Sequence, residues 1–214
     1  MPEVRPYRSE DRDAVRRIAF ETGFMGESAA WYWRDAVSFA DVWSGYYTDR
    51  EPESAFVAVE GAVVVGYLLG CVDTRRAPSP RAAIARQVWR RQLPLRPGTA
   101  GFFWRSLADL LRHPNLPSGE LADPRFPSHL HIDLLPAGRG RGAGRALVEA
   151  WLGRLRAVGS PGCHLGTLAE NAGAIRFFAR MGFVRHGPPT LVPGMRLRSG
   201  ARMHQQLMAR RTGS

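Results

Sequence analysis

The sequence predicts an α/β (α+β) fold, and three observations carry that prediction. Residues 129–135 (HLHIDLL) alternate with apolar Leu130, Ile132 and Leu134, which is the period of a strand. Pro136 ends that run, because it lacks an N–H for the ladder and its φ is fixed. A turn with Gly138, Gly140, Gly142 and Gly144 interleaved with Arg139, Arg141 and Arg145 follows. Leu147, Val148, Trp151, Leu152, Leu155 and Val158 then recur at helical spacing.

A strand, a basic glycine turn and a helix in that order form an anion site. The first amides of a helix have no internal partner, and the helix dipole favours negative charge there. Glycines let a backbone approach closely, and arginines offer paired donors to phosphate oxygens. A phosphate or pyrophosphate at 138–145 is therefore expected. Gly138, Gly140 and Ala143 fit the dinucleotide pattern G-x-G-x-x-A, but Val158, Gly159 and Ser160 stand where that pattern needs an acid. No Gly-Lys-Ser/Thr follows, so the P-loop fails as well.

Leu134-x-Pro136-x-x-Arg139-x-x-Gly142-x-Gly144 resembles the acyl-CoA pyrophosphate loop of the GNAT acetyltransferase superfamily, written Gln/Arg-x-x-Gly-x-Gly/Ala. Downstream, Asn171, Ala174, Phe177, Gly182 and Phe183 are similar to the family's N-x-x-A-x-x-F-Y-x-x-x-G-F signature. The resemblance is strong over 129–187 and rests on element order alone over 3–71 and 188–208. HLHIDLLP and HLGTLAEN also look like the acetyltransferase-like C-terminal domain of eukaryotic O-GlcNAc hydrolases and its stand-alone bacterial relatives.

The resemblance implies one acyl-CoA N-acyltransferase-like domain over 1–214, with 73–128 as a helical insertion before the fourth strand. It implies a mixed, mostly antiparallel sheet with helices on both faces, splayed near Leu134 and Leu135. It also implies acetyl transfer from acetyl-CoA directly to an amine. Acetyl-CoA would lie against Leu134, Leu135, Arg139, Gly140, Arg141, Gly142, Ala143, Gly144, Arg145, Asn171 and Phe178. At Phe178 the family often has a Tyr that acts as acid, and Phe cannot donate. That departure keeps a second reading open, a catalytically inactive CoA-binding pseudo-acetyltransferase or interaction module.

For the base, His129, His131 and Asp133 share one face of their strand, as a proton-accepting cluster or as a hydrogen-bonded structural face. Asp133, His131 and His164 are the catalytic candidates. Cys163 has the opposite alternation to His164, which argues against a Cys–His pair. No metal site is expected.

The net charge is +11, and all 30 basic residues are arginine. They are spread along the chain rather than gathered in one run. Nucleic acid is thus a minor reading, and coenzyme phosphates or a codon bias toward Arg account for some of the charge. Without lysine the protein cannot acetylate its own lysines. Two cysteines, no signal-peptide pattern and no apolar run of spanning length lead to the expectation of a cytoplasmic protein with no membrane partner. Oligomeric state and acceptor stay open.

Along the chain, Glu3 to Tyr7 suggests a first strand, Ser9 an N-cap, and Val15, Ile18 and Ala19 a helix stopped by Gly23. Trp33, Val37, Ala40 and Trp43 predict a helix with a buried face. Ala55–Val59 and Val63–Val72 read as a hairpin. Within 73–128, Ser79-Pro80 starts a helix with Ile84, Val88, Trp89 and Leu93 on one side. Thr99 caps a second helix with Phe103, Leu107, Leu110 and Leu111 on one face. A strand at Phe183–His186, a linker GPPTLVPG and a strand at Arg202–Met208 close the chain.

Overall fold

The computed structural model describes residues 2–116 and 121–213; residues 117–120 of the expected insertion lie outside the described residues. A seven-stranded sheet runs in the order β1-β2-β3-β4-β5-β7-β6. Its strands are β1 (Glu3–Pro6), β2 (Ala55–Glu60), β3 (Val63–Cys71), β4 (Ser128–Leu134), β5 (Gly162–Leu168), β6 (Val184–Arg196) and β7 (Arg202–Arg211). Among the described residues β4 and β5 form the one parallel pair, and the other strand pairs are antiparallel. Helices cover both faces, as expected.

Period-two alternation sorts the strand residues onto the two faces. Leu68, Leu130 and Leu165 pack with Leu147, Val148, Trp151 and Leu155 of α6 (Ala143–Ala157) and with Ile175 and Phe178 of α7 (Ala172–Arg180). On the other face, Val57, Tyr67, Leu69 and Cys71 pack with Val15 and Ile18 of α1 (Arg12–Thr22) and Tyr47 of α3 (Gly45–Arg50). Gly70 admits the ring of Trp151, since a Cβ there would run into it.

A third apolar cluster joins Phe39 of α2 (Ala36–Trp43) and Trp33 to Phe102 and Phe103 of α5 (Ala100–Arg112) and to Met203. α4 (Pro80–Arg91) packs on it through Ile84 and Val88. Both helices before β4 thus exist; Ile84, Val88, Leu93 and Phe103 pack inward as expected, whereas Trp89, Leu107 and Leu111 do not. Trp89 is 84% exposed, Leu107 46% and Leu111 74%, while Phe102 and Phe103 are buried. Val37 likewise faces outward and Trp33 precedes α2. Helical spacing marks a stripe without saying which of two competing stripes finds a partner.

The caps show the same limit. Ser79 Oγ accepts from the Ala82 N–H at 3.3 Å, as expected. Ser9 does not cap; residues Ser9–Asp11 form a 3-10 turn in which the Asp11 carboxylate accepts from the Arg8 N–H at 2.8 Å. Thr99 Oγ1 instead accepts from the Arg34 N–H at 3.1 Å. The GPPTLVPG segment is part of β6, which tolerates its prolines because it is an edge strand broken by register shifts.

Asp109 ties α5 to β6. Its carboxylate, 1% exposed, accepts from the Gly194 N–H at 2.9 Å and from Arg196 Nη2 at 2.8 and 3.0 Å. Replacing it would leave the half-buried Arg196 without its counter-charge. Asp109→Ala is expected to lower unfolding free energy by about 3 kcal/mol, read by urea denaturation. A loss under about 1 kcal/mol would show that the pair contributes little net stability.

Candidate active site

The site grows from the point where β4 leaves β5. Their pairing is confined to Ser128↔Cys163 and His129↔His164, whereas β4 stays paired with β3 through Leu134. The Leu135 N–H donates to Val65 O at 2.9 Å, so in an antiparallel ladder the Leu134 N–H points the other way, into the gap opened toward β5. Of the two residues expected to lie against acetyl-CoA on this strand, Leu134 directs its amide there and the Leu135 amide is consumed by β3. The splay expected near these residues begins earlier along the strand, just after His129.

After β4 the chain turns through Pro136–Gly138 and reaches α6 by way of Gly140 (φ 73°) and Gly142 (φ 83°), a backbone conformation that favours glycine. A Cβ on Gly140 would meet nothing within 4 Å. Gly142 is the N-cap of α6 and brings no side chain to satisfy the first-turn amides. Ala146 makes the first helical bond, to Gly142 O at 3.0 Å, so the amides of Ala143, Gly144 and Arg145 precede the ladder. Gly144 is close-packed: a Cβ there would sit 3.2 Å from Phe177 and 3.3 Å from Leu134.

The arginines are not gathered on this cradle. Arg139 Nε donates to Leu134 O at 2.9 Å and its Nη2 to Gly26 O at 2.7 Å, stitching the loop after α1 to the end of β4. Arg141 pairs with Glu60, and Arg145 with Glu149 at 2.7 Å. The last two pairs are exposed and screened by water, so they are weak and easily exchanged for a phosphate. Sequence order placed all three beside an anion; only the folded chain showed the competing carbonyls and carboxylates.

His129, His131 and Asp133 do share the face toward α1 and α3. His129 is clamped, Nε2 2.8 Å from Tyr47 Oη and Nδ1 2.8 Å from Thr74 Oγ1. Burial drives its pKa well below the ordinary value, with the neighbouring histidines adding to the effect. His131 meets the rings of Tyr47 and Trp43 at 5.3 and 5.9 Å, and burial lowers its pKa to about 4. Both imidazoles are therefore neutral at pH 7.

Asp133 behaves differently. Burial raises its carboxyl to about 7, although the Tyr67 hydroxyl donates to Oδ2 at 2.5 Å, and Thr22 and Arg139 also favour the charged form. It is the member of the β4 trio poised near neutrality. Tyr67, on the adjacent β3, was not singled out by sequence. Its register opposite Asp133 is what brings the pair together.

The remaining candidates serve the frame. His164 is 2% exposed, with Nδ1 2.9 Å from Phe126 O and Nε2 accepting from the Leu121 N–H at 3.4 Å. Neither nitrogen is open to an acceptor, which weighs against it as base. Asn171 Oδ1 caps α7 through the Ala174 N–H at 3.1 Å. Phe178 is buried against Phe183, ring centroids 5.7 Å apart. Cys163 lies in the core on the α6 face, away from His164, so the two form no pair. Among the described residues no cluster of His, Cys, Asp and Glu is arranged to hold a metal.

Comparison with known proteins agrees with this architecture. Residues 117–183 match the model of the Acetyltransferase (GNAT) family. The solved structure of SsHAT is 32% identical, with TM-score 0.74, over 100% of this chain and 99% of that one. yncA from Salmonella typhimurium, solved with its cofactor acetyl-CoA, is 17% identical with TM-score 0.57, over 98% of this chain and 93% of that one. The ribosomal-protein-alanine N-acetyltransferase from Brucella melitensis is 17% identical with TM-score 0.59, over 98% and 99%. The last two share the fold; the family model and the full-length likeness to SsHAT go further, and the chain belongs to the GNAT acetyltransferase family.

Proposed function

We propose that the protein is an N-acetyltransferase that moves acetyl directly from acetyl-CoA to an amine, with Asp133 as the base. One observation carries this reading. A carboxyl with pKa about 7 lies next to a strand amide aimed into the β4–β5 gap, and an uncapped glycine cradle follows that strand at the start of α6. These residues fit acetyl-CoA: the open space over Gly140 and the first-turn amides of α6 suit its pyrophosphate. Gly142, Ala143 and Gly144 set those amides, and Arg141 and Arg145 would exchange carboxylate for phosphate.

Acetyl-CoA, the cosubstrate, supplies a thioester carbonyl carbon open to attack. The Leu134 N–H orients the pantetheine arm or the carbonyl oxygen. The Asp133 carboxylate takes the proton the acceptor nitrogen gives up as the N–C bond forms and the C–S bond breaks. CoA leaves as thiolate. Phe178 has no proton to give, but a thiol of pKa about 8.5 departs without help. Tyr67 holds and tunes Asp133 without touching substrate.

The buried, donor-free ring of Phe178 favours the second reading, a CoA-binding protein without turnover. The kinship of HLHIDLLP and HLGTLAEN to the acetyltransferase-like domains of O-GlcNAc hydrolases is part of the proposal and rests on those residues alone. Titration with acetyl-CoA, then an amine and peptide panel with free-thiol detection, separates the readings. Thiol release supports transfer, and binding with no release supports the inactive protein.

Gly142→Val should weaken acetyl-CoA at least about tenfold, since valine strains φ +83° and disturbs the first-turn amides, with the melting curve as a folding control. Unchanged binding would remove the phosphate assignment. Turnover should rise with pH and level off above about 7, as Asp133 loses its proton. Asp133→Asn should cost roughly 10²–10⁴ in kcat. Tyr67→Phe removes a donor to the carboxylate, so the inflection should move up by about one pH unit. An inflection that stays put, or moves down, would dissociate Tyr67 from the titrating group.

A further inference from the structure

Arginine is spread along the whole chain, but net charge is not. Residues 80–112, which hold α4 and α5, contain seven arginines and a single acid, Asp109. Asp109 is 1% exposed and faces Arg196, so the outer surface of these helices presents no acid. More than half of the chain's net +11 resides here. Arg91 and Arg96 lean back on Asp35, at 3.1 and 2.5 Å. Arg86, Arg90, Arg105 and Arg112 are exposed on the helices themselves.

The same surface exposes large apolar side chains. Trp89 is 84% exposed, Leu95 73%, Trp104 57%, Leu107 46% and Leu111 74%. A 3-10 turn at Leu93–Leu95 joins α4 to α5. Arg81, in the first turn of α4, donates to Leu116 O at 2.7 Å, just past the end of α5. The start of α4 therefore lies beside the chain just past α5, and the two helices run as an open hairpin that makes few direct contacts between its arms. Trp89 near the end of α4, Leu95 in the turn and Trp104 near the start of α5 all belong to its connected end. Trp104, Leu107 and Leu111 continue as a stripe along α5.

We propose that this hairpin docks on an anionic membrane surface, its tryptophans and leucines entering the headgroup–acyl boundary and its arginines contacting lipid phosphates. Charge selects an anionic occupant, and a second copy would bring the same acid-free arginine surface against itself. A peptide needs a groove to seat it. One cavity beside the turn is lined by Arg34, Asp35, Arg96, Pro97 and Thr99, and another lies between Phe24, Met25, Glu27, Leu197, Arg198 and Ser199. Neither takes in the exposed tryptophans or leucines. Single-stranded nucleic acid would use the arginines and stack on tryptophan but leave three leucines in water. Such docking needs no spanning segment, and no described helix is long and apolar enough to cross a membrane. It departs from the expectation of no membrane partner, which rested on spanning length alone.

The test is co-sedimentation of the full chain with vesicles of phosphatidylcholine alone and of phosphatidylcholine with phosphatidylglycerol. Binding is expected to the anionic vesicles only and to weaken as salt rises. Trp89→Ser with Trp104→Ser should lower it at least about tenfold, and so should Arg86→Glu with Arg90→Glu. Melting and acetyl-CoA titration should be unchanged in both, because these side chains lie outside the core and the α6 loop. Leu111→Gln alone should weaken vesicle binding by a smaller factor. Equal binding to neutral vesicles, no binding to either, or full binding by both double variants would overturn the proposal. A dimer in sedimentation velocity that Trp104→Ser dissolves would give the face to a second copy. Displacement of the vesicles by a single-stranded oligonucleotide would give it to nucleic acid.

Discussion

The end of the β4–β5 ladder is the constraint on which the site depends. A strand in mid-sheet normally spends its amides on both neighbours, because a buried N–H without a partner is costly. Here β4 pairs with β3 from His129 to Leu134 but with β5 only at its first two residues. The gap leaves amides such as Leu134's directed toward space that a second extended chain can fill. An acyl-pantetheine arm is such a chain, and the uncapped first turn of α6 stands where its phosphates would follow. Both features belong to one stretch of seventeen residues, so the pocket is written locally although it is opened by a distant strand's departure.

The electrostatics of the acceptor side follow from packing rather than from residue type. Three ionisable groups alternate along β4 and receive three different surroundings. His129 finds a hydroxyl for each nitrogen, His131 meets aromatic rings, and Asp133 meets a phenol and a threonine beneath α1. Burial disfavours charge in all three, which makes the imidazoles neutral and the carboxyl reluctant. The same force therefore keeps both imidazoles neutral and brings the aspartate's titration close to neutral pH.

The helical pair before β4 is held by apolar contacts to Trp33 and Phe39 and by the Asp109–Arg196 pair to β6. Those anchors use one stripe of each helix. The second stripe, with Trp104, Leu107 and Leu111, is left outside together with a surface free of acids. Two stripes compete on α5, and the one carrying Phe102 and Phe103 wins because the rings of Tyr32 and Trp33, just before α2, face it.

What the sequence by itself determined is local. Alternation, the proline stop, glycines at positive φ and helical spacing fixed β4, the turn and α6. The signature from Asn171 to Phe183 placed α7 and carried the family. Hydrophobic runs separated by Glu60-Gly61-Ala62 gave the β2–β3 hairpin. Each of these rests on residues within a few positions of one another, where backbone sterics and periodicity suffice. The tertiary structure decided everything that needs a neighbour from elsewhere in the chain. It turned Arg139 to Gly26, Arg141 to Glu60, and Tyr67 to Asp133, over separations of 113, 81 and 66 residues. It chose the buried stripes of α4 and α5, and it carried β6 through its prolines by leaving them at a sheet edge. Side-chain partners and pKa values depend on which charge, ring or carbonyl arrives from across the fold, and one-dimensional spacing holds no record of that.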